Sequence, residues 1–303
     1  MLPLIGLLSV ISFLLLSVAP GDPSATILGQ NADPAARAQV LDELGLNRPV
    51  VVQYFDWLKG ALGGDLGRSF VSREPVWQAM MTRLPVTVEL GVLAMVFGAI
   101  VGIPLGVIAA LKSGHWIDRA IMVFAVANVA MPSFLFAILG VLVFSIYLGW
   151  LPAIGWVAFM DNPAAHFEHA ILPVVALGHS SVAILARLTR SSLLSTLSED
   201  YVRTARAKGL GEFMVVVRHA LRNALIPTLT ILGVQAGFLL GGTVIIESIF
   251  GVPGMGLMSI RSVQAQDTPV VQAIVVLTGT FVLLISLGVD LLYAVVNPRI
   301  RFS

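Results

Sequence analysis

The stretch VTVELGVLAMVFGAIVGIPLGVIAAL (residues 86–111) decides the fold class of this chain. Glu89 is its only charged residue, and the stretch exceeds the roughly 20 apolar helical residues that cross a bilayer core about 30 Å thick. The whole chain of 303 residues has a similar character, since 57% of it is hydrophobic and 12% is charged. Soluble domains are about 25% charged. We therefore expect an all-α, polytopic membrane protein.

Six segments are apolar enough to predict transmembrane helices. They divide the chain into a first helix at 1–19, an external segment with short helices at 20–85, and a core with five helices at 86–303. A long polar connection at 188–224 lies between the fourth and fifth spans. The predicted spans cover residues 2–19, 86–111, 120–148, 170–187, 225–246 and 269–292.

The external segment has the signals of short helices rather than of a separate domain. Asp33 followed by Pro34 predicts the beginning of a helix that ends at Gly45. Pro49 can begin another helix that ends near Gly60. We expect these helices to lie on or above the membrane.

Lysine and arginine residues collect on one side of the predicted spans. Eleven of the 18 lie in the connection between spans 2 and 3, around the connection between spans 4 and 5, or in the C-terminal tail. The short loops 149–169 and 247–268 hold only Arg261. Because short loops rich in lysine and arginine stay in the cytoplasm, this asymmetry predicts that both termini are cytoplasmic.

The sequence lacks the patterns of common catalytic and cofactor sites. It has no cysteine, which excludes disulfides and thiolate ligands. A Walker A loop needs Gly directly before Lys, whereas Lys59, Lys112 and Lys208 follow Leu, Leu and Ala. His166 and His169 are spaced at i and i+3 rather than at the i and i+4 of helical zinc proteases, so we expect a solvated loop there. We predict no catalytic residue, no metal site and no cofactor on this chain.

The fifth predicted span carries two different faces. Gly233, Gly237 and Gly241 recur every four residues, which predicts a flat stripe for close helix packing. A polar stripe on roughly the opposite face, spaced by seven residues, consists of Thr228, Gln235 and Gly242. One interpretation is two contacts within one helix bundle. The other, which we favour, is a helix between a partner and an aqueous translocation path.

Residues 198–209 (SEDYVRTARAKG) have the composition of a short capped helix. Ser198 is a good N-cap residue, and Glu199 and Asp200 would lie at the positive end of the helix dipole. Gly209 can adopt the left-handed conformation that commonly ends a helix. Because isolated helices under about 12 residues are marginal unless they pack on something, this pattern favours a docking element. The alternative is a basic cytoplasmic loop that is helical without docking.

Motifs in and around this connection resemble a known family. RTARAKGL (203–210) and RHALRNALIP (218–227) are similar to the cytoplasmic EAA-type loop of ABC importer permeases, in the version of the dipeptide, oligopeptide, glutathione and nickel group. Arg203 and Thr204 stand where the general motif has Glu and Ala, a replacement common in peptide-type permeases. A departure is the absence of a short basic stretch before the first span. Further motifs in matching order are PGDP (20–23), LGLNRPVVVQY (44–54), GDLGRS (64–69), GIPLGVIAAL (102–111), ESIFGVPGMGL (247–257) and NPRIR (297–301).

The resemblance implies a type I ABC importer permease fold in the bacterial cytoplasmic membrane, with ATP-driven import of peptides as its function. Glutathione and nickel are the alternative solutes within the same group. The implied partners are a second permease subunit, one or two cytoplasmic ATPase subunits and an external solute-binding protein, with no nucleic acid. A coupling helix would insert into a groove on the ATPase, and the resemblance assigns this role to Arg203, Thr204, Ala205, Arg206, Ala207, Lys208 and Gly209.

An autonomous secondary transporter is the alternative from another class of protein. Such a carrier would need its own coupling-ion site and no ATPase. His179 is the only titratable side chain near the centre of a predicted span. We expect a neutral histidine that is hydrogen-bonded to a neighbouring helix, and its use as a proton relay stays open.

Overall fold

The computed structural model describes residues 1–18, 23–29 and 33–296, which form helices and connections with no β-strand among them. The all-α prediction is therefore confirmed for the described residues. Two compact units are formed, Met1–Val88 with Val252–Leu283 and Glu89–Gly251 with Leu284–Ser303, called here the first and second units. The NPRIR motif at 297–301 lies outside the described residues, and the division predicted at residues 19 and 85 stays a prediction.

The first unit contains the helices of the predicted external segment. Asp33 Oδ1 accepts a hydrogen bond from the Ala35 N–H at 3.4 Å, and Pro34 occupies the first turn of its helix, as predicted. The helices within this unit are α1 (Leu2–Val18), α2 (Pro23–Leu28), α3 (Pro34–Glu43), α4 (Val50–Leu62) and α12 (Met255–Gln264). The chain passes between the units at three points, which lie inside the long helices α5 (Val76–Leu111) and α13 (Thr268–Val296) and directly after Gly251.

A buried carboxylate joins two connections of the first unit. Asp267 accepts hydrogen bonds from the Ser69 hydroxyl at 2.5 Å and from the Phe70 N–H at 2.9 Å. These bonds tie the loop before α5 to the residue that directly precedes α13. The core beside them consists of Val76, Met80, Met255, Val270, Ala273 and Ile274.

The second unit is built around α8 (Pro163–Leu197). In the most apolar 18-residue stretch of α8, 67% of the residues are buried. In the corresponding stretch of each of the other three long apolar helices, 28% are buried. The remaining elements of this unit are α6 (Trp116–Ala130), α7 (Ser133–Gly140) with a π-helical continuation at Val141–Tyr147, α9 (Asp200–Ala207), α10 (Glu212–Met214) with a π-helical segment at Val215–Ala220, and α11 (Leu221–Phe250).

Close packing against α8 depends on glycines of α5. A Cβ on Gly98 would lie 2.8 Å from the Ser181 Cβ, and one on Gly102 would lie 2.7 Å from the Val182 carbonyl oxygen. At Gly106 the distance to the Ala186 carbonyl oxygen would be 2.6 Å. Small residues permit such backbone approach in membrane helices, so these three glycines set the distance between α5 and α8.

Four helices in the described residues are long and apolar enough to cross a membrane, or up to six if each bent helix pair counts as one span. The third predicted span, at 120–148, corresponds to a bent pair of helices, because α6 and α7 meet at an angle of 103°. Pro132 lies at the break, lacks an N–H and disfavours helical geometry at the residue before it. The first predicted span is an apolar helix of 17 residues. The four long spans are Val76–Leu111, Pro163–Leu197, Glu212–Gln235 and Thr268–Gly288.

Candidate coupling surface and translocation path

Helix α9 is anchored to the rest of the second unit by two apolar side chains. Val202 and Ala205 are buried, three residues apart on one face of the helix. Their cluster includes Ala110 of α5 and Leu193 of α8. The cluster is completed by Val215, Ala220 and Ala224. A helix of eight residues is unstable alone, so this packing is what holds α9 in place.

The ends of α9 agree with the sequence prediction at one terminus only. Ser198 is not the N-cap, because α8 continues to Leu197 and the Ser198 hydroxyl donates to the Ser195 carbonyl. Glu199 occupies the N-cap position without a side-chain capping bond. Gly209 has φ +79° and therefore adopts the predicted left-handed conformation.

Two backbone hydrogen bonds close the C-terminus of α9. The Gly209 N–H donates to the Arg206 carbonyl at 2.9 Å, and the Leu210 N–H donates to the Ala205 carbonyl at 3.4 Å. This pair of bonds is the Schellman motif, which requires a left-handed residue after the helix. Glycine adopts that conformation without a steric penalty, so Gly209 determines how the chain leaves α9.

The outward face of α9 is basic and solvent-exposed. Arg206 donates two hydrogen bonds to the Glu212 carboxylate, at 2.7 and 3.1 Å, across the turn that contains Gly209. These bonds raise the pKa of Arg206 above its usual value, so the guanidinium stays charged. The exposed residues of the predicted coupling set are Arg203, Thr204, Arg206, Ala207, Lys208 and Gly209.

An exposed aromatic residue lies next to this basic face. Phe213, directly after Glu212, is 79% exposed, and Met214 and Leu210 are also exposed. These three side chains form an exposed apolar group beside the Arg206–Glu212 pair. The sequence analysis did not identify Phe213, although its position three residues past the RTARAKGL motif was a usable signal.

A buried ion pair joins α6 to α8 near α9. Arg190 donates to both carboxylate oxygens of Asp118, from Nε at 2.5 Å and from one terminal nitrogen at 2.7 Å. The Gly114 N–H donates to the same carboxylate at 3.0 Å. Asp118 is almost fully buried, so its charge depends on these donors. Arg190 is one turn before Leu193 of the α9 cluster, which links the two features through one helix.

Replacing Arg190 with lysine is expected to lower the stability of the complex by about 1 kcal/mol. Lysine keeps the positive charge but cannot donate two parallel hydrogen bonds to Asp118. Thermal unfolding of the purified complex measures this loss as a decrease in Tm. Arg187→Lys is the control, because Arg187 is exposed one turn earlier on the same helix. Equal Tm values for the two variants would contradict this role of the ion pair.

His166, His169 and His179 are located in helix α8 rather than in loops. His179 Nε2 lies 3.1 Å from the Met131 carbonyl oxygen, at the break between α6 and α7. The predicted hydrogen bond between His179 and a neighbouring helix is therefore confirmed. The prediction of a solvated loop at His166 and His169 is wrong, because both lie in α8 and His166 is 1% exposed. The described residues contain no group of side chains suited to hold a metal ion.

The predicted polar stripe of α11 lies partly against α8. Thr228 is fully buried, with its hydroxyl 3.3 Å from the Thr189 hydroxyl. A Cβ on Gly242 would lie 3.4 Å from the Leu177 side chain. Gln235 has a buried amide nitrogen that has no hydrogen-bond partner among the described residues. Gln235 is thus the member of the stripe with an unused donor.

The predicted glycine stripe of α11 has a different environment from the glycines of α5. A Cβ on Gly241 would meet no heavy atom within 4 Å. The close packing predicted for Gly233, Gly237 and Gly241 is therefore not made at Gly241 by the described part of this chain. A contact between this stripe and another subunit stays a prediction.

Comparison with known families shows which family the chain belongs to. Residues 102–302 match the family described as binding-protein-dependent transport system inner membrane component, and residues 2–91 match the N-terminal family of the same system. The chain belongs to this family of transport permeases. It is a multi-pass inner-membrane permease subunit of an ABC importer, and it works with other components of that system.

Relatives of this permease are similar over its full length. A Brucella abortus (strain 2308) protein named as a peptide transport system permease is 42% identical over 302 residues, covering 100% of this chain and 96% of the relative. The glutathione transport system permease protein GsiC of Escherichia coli (strain K12) is 42% identical over 303 residues, with the same coverage. The similarity to these permeases therefore covers the whole chain and includes the motifs recognised in its sequence.

Solved structures share the fold of this permease. The MetNI methionine ABC transporter in inward-facing conformations aligns with a TM-score of 0.58 at 17% identity, covering 74% of this chain and 99% of that chain. An amino acid ABC transporter with histidines aligns with a TM-score of 0.53 at 17% identity, covering 71% and 93%. The predicted fold of a type I ABC importer permease is confirmed.

Proposed function

We propose that this permease imports peptides across the cytoplasmic membrane. The observation that carries the proposal is the full-length 42% identity to permeases named for peptide and for glutathione transport. Both names describe solutes that contain peptide bonds, which favours a peptide over a nickel chelate.

The proposed transport activity is tested in vesicles that contain the complete complex, with ATP supplied on the ATPase side. We expect accumulation of a labelled di- or tripeptide that requires both ATP and the binding protein. Glutathione and a nickel chelate are offered in parallel. Uptake of glutathione or of the nickel chelate without uptake of the peptide would contradict the proposal. Peptide uptake without ATP would also contradict it.

The second part of the proposal concerns energy coupling. We propose that α9 is the coupling helix and that its exposed residues from Arg203 to Gly209 contact a cytoplasmic ATPase. Its buried face is fixed to α5 and α8 through Val202 and Ala205, so a movement imposed on α9 would reach both helices. ATP would be bound by that separate subunit, with no cofactor on this chain. The proposed assembly has a second permease, one or two ATPases and an external solute-binding protein.

The third part concerns the path of the solute. We propose that the stripe of Thr228, Gln235 and Gly242 borders the path at Gln235, which offers its unpaired amide donor to the peptide backbone. Thr228 and Gly242 pack this face of α11 on α8. Gln235→Leu is expected to reduce peptide uptake severalfold while the second permease still co-purifies in full amount. Gly237→Leu, on the proposed packing stripe, should instead reduce co-purification. The reverse pair of results would contradict this assignment.

The fourth part concerns orientation, with both termini in the cytoplasm. The chain has no native cysteine, so a single introduced cysteine can be labelled selectively. Ser69 is an unsuitable position because it is buried against Asp267, whereas Ser72 and Ser198 are exposed. We expect Ser72→Cys to react with an impermeant thiol reagent from outside intact cells and Ser198→Cys to react only after lysis. Reaction of both from the same side would overturn the orientation.

A further inference from the structure

Helix α4 presents three faces of different chemistry. At about 100° per residue, Tyr54, Trp57 and Ala61 fall on one side of the helix. The polar residues Gln53, Asp56 and Lys59 fall on a second side, and the apolar residues Val51, Phe55, Leu58 and Leu62 fall on a third. Besides the surface that its aromatic side packs against, such a helix needs a polar environment for one side and an apolar environment for the other.

The aromatic face of α4 packs on the middle of α1. The Tyr54 hydroxyl lies 2.9 Å from the Ser9 hydroxyl, and the Phe13 ring makes an edge contact with Tyr54 at a centroid distance of 5.5 Å. Trp57 lies 6.3 Å from the same Phe13 ring. Because Ser9 and Phe13 are in the interior of α1, these contacts fix α4 beside α1 rather than beyond its end.

The polar face of α4 is occupied by hydrogen bonds and charges. The Gln53 amide donates to the carbonyl oxygens of Leu46 and Arg48, at 3.0 and 2.8 Å. Asp56 pairs with the Arg48 guanidinium at 3.1 Å, and both side chains are solvent-exposed. This face therefore requires water.

The apolar face of α4 is uncovered in the described structure. Val51 is 65% exposed, Phe55 is 61% exposed and Leu62 is 82% exposed. Helix α1 carries exposed apolar side chains of the same kind, such as Leu15 at 67%. Since α1 is an apolar helix of an inner-membrane protein, we expect its exposed leucines to face acyl chains. The contacts with Ser9 and Phe13 bring the apolar stripe of α4 to the depth of those leucines.

We propose that α4 is a membrane-inserted amphipathic helix whose Val51, Phe55 and Leu62 stripe is covered by lipid acyl chains. It occupies the leaflet that holds the C-terminal half of α1, and its Asp56 side faces water. Amphipathic helices with aromatic and aliphatic residues on one face and charges on the other bind membranes in this way. At such an interface the polar side lies in water and the apolar side lies in acyl chains, so each side has a suitable solvent.

The proposal is tested with spin labels on single cysteines in the assembled complex, reconstituted into vesicles of phosphatidylethanolamine and phosphatidylglycerol. The label is placed at Phe55, at Asp56 on the polar face, or at Leu15 of α1 as the lipid-facing reference. Collision rates with oxygen, which partitions into lipid, and with a water-soluble nickel chelate are then measured for each label. Val51→Cys replaces Phe55→Cys if the latter lowers the yield of the complex.

We expect the Phe55 label to have an oxygen-to-nickel ratio close to that of the Leu15 label and at least severalfold above that of the Asp56 label. Nickel access at Phe55 equal to that at Asp56 would overturn the proposal by showing a helix in water. Access of neither reagent to Phe55 would also overturn it, by showing that protein covers the stripe. The readout does not depend on the transported solute, so its failure leaves the proposed peptide import untouched.

Discussion

Gly106→Val is expected to abolish recovery of the folded permease. A Cβ at this position would lie 2.6 Å from both the Ala186 carbonyl oxygen and the Thr189 Cβ, so α5 and α8 would have to move apart along their backbones. Overpacking a tight core costs about 1 to 3 kcal/mol, and backbone displacement along a helix pair adds to that figure. Because α8 is the most buried of the four long apolar helices, the loss would extend to the elements packed on it.

The measurement for this variant is the yield of monodisperse complex after detergent extraction, together with its thermal midpoint. Gly91→Val is the matched control, since Gly91 is on the same helix and a Cβ there would meet no heavy atom within 4 Å. We expect near-normal yield for the control and at least a tenfold loss for Gly106→Val. Equal yields and midpoints for the two variants would show that α5 and α8 are not held by glycine contact.

Gly209→Val is expected to leave the permease folded and inserted but to reduce peptide uptake by at least about tenfold. A β-branched residue resists the φ of +79° that Gly209 adopts, at a cost of about 1 to 2 kcal/mol. The two backbone bonds that end α9 would be weakened, and the Arg206–Glu212 pair that spans this turn would be displaced. The exposed face of α9 would then no longer present the proposed contact surface to the ATPase.

Uptake and peptide-stimulated ATP hydrolysis are measured together for this variant. Gly211→Val is the control, because Gly211 has φ −64°, which valine adopts readily, and a Cβ there would meet nothing within 4 Å. If the complex with Gly209→Val took up peptide at the level of this control, the turn at Gly209 would have no role in coupling. Loss of the protein from the membrane would instead indicate a folding role for Gly209.

The helical class and most helix positions followed from apolar length alone, because a bilayer selects long apolar helices. Helix ends were harder to predict from hydropathy. The fourth span was predicted at 170–187, whereas α8 extends from Pro163 to Leu197. Its polar ends continue the helix beyond the apolar run, and Ser198 consequently ends α8 rather than beginning α9. The position of Gly209 was predictable because its left-handed conformation is a local property of glycine.

The break at Pro132 and the packing glycines show two further limits of sequence reasoning. Pro132 was a visible signal, but the apolar residues on both sides of it predicted one span at 120–148 without marking the break. Gly98, Gly102 and Gly106 have the same spacing as Gly233, Gly237 and Gly241. Spacing alone does not show which of these two glycine stripes packs on another helix of the same chain. The Asp118–Arg190 pair was equally hidden, because its members are 72 residues apart and only the fold brings them together.

Site-specific crosslinking from α9 tests the central claim most directly, since the claim is that this permease is driven by a separate ATPase through α9. Ala207 is exposed on α9, and Ser72 is exposed in the loop before α5 that we place outside the membrane. With a thiol-to-amine crosslinker, we predict that Ala207→Cys joins the permease to the ATPase subunit in a yield that changes when ATP is added, and that Ser72→Cys does not. An assembled, transporting complex in which Ala207→Cys forms no crosslink to any ATPase would contradict the account.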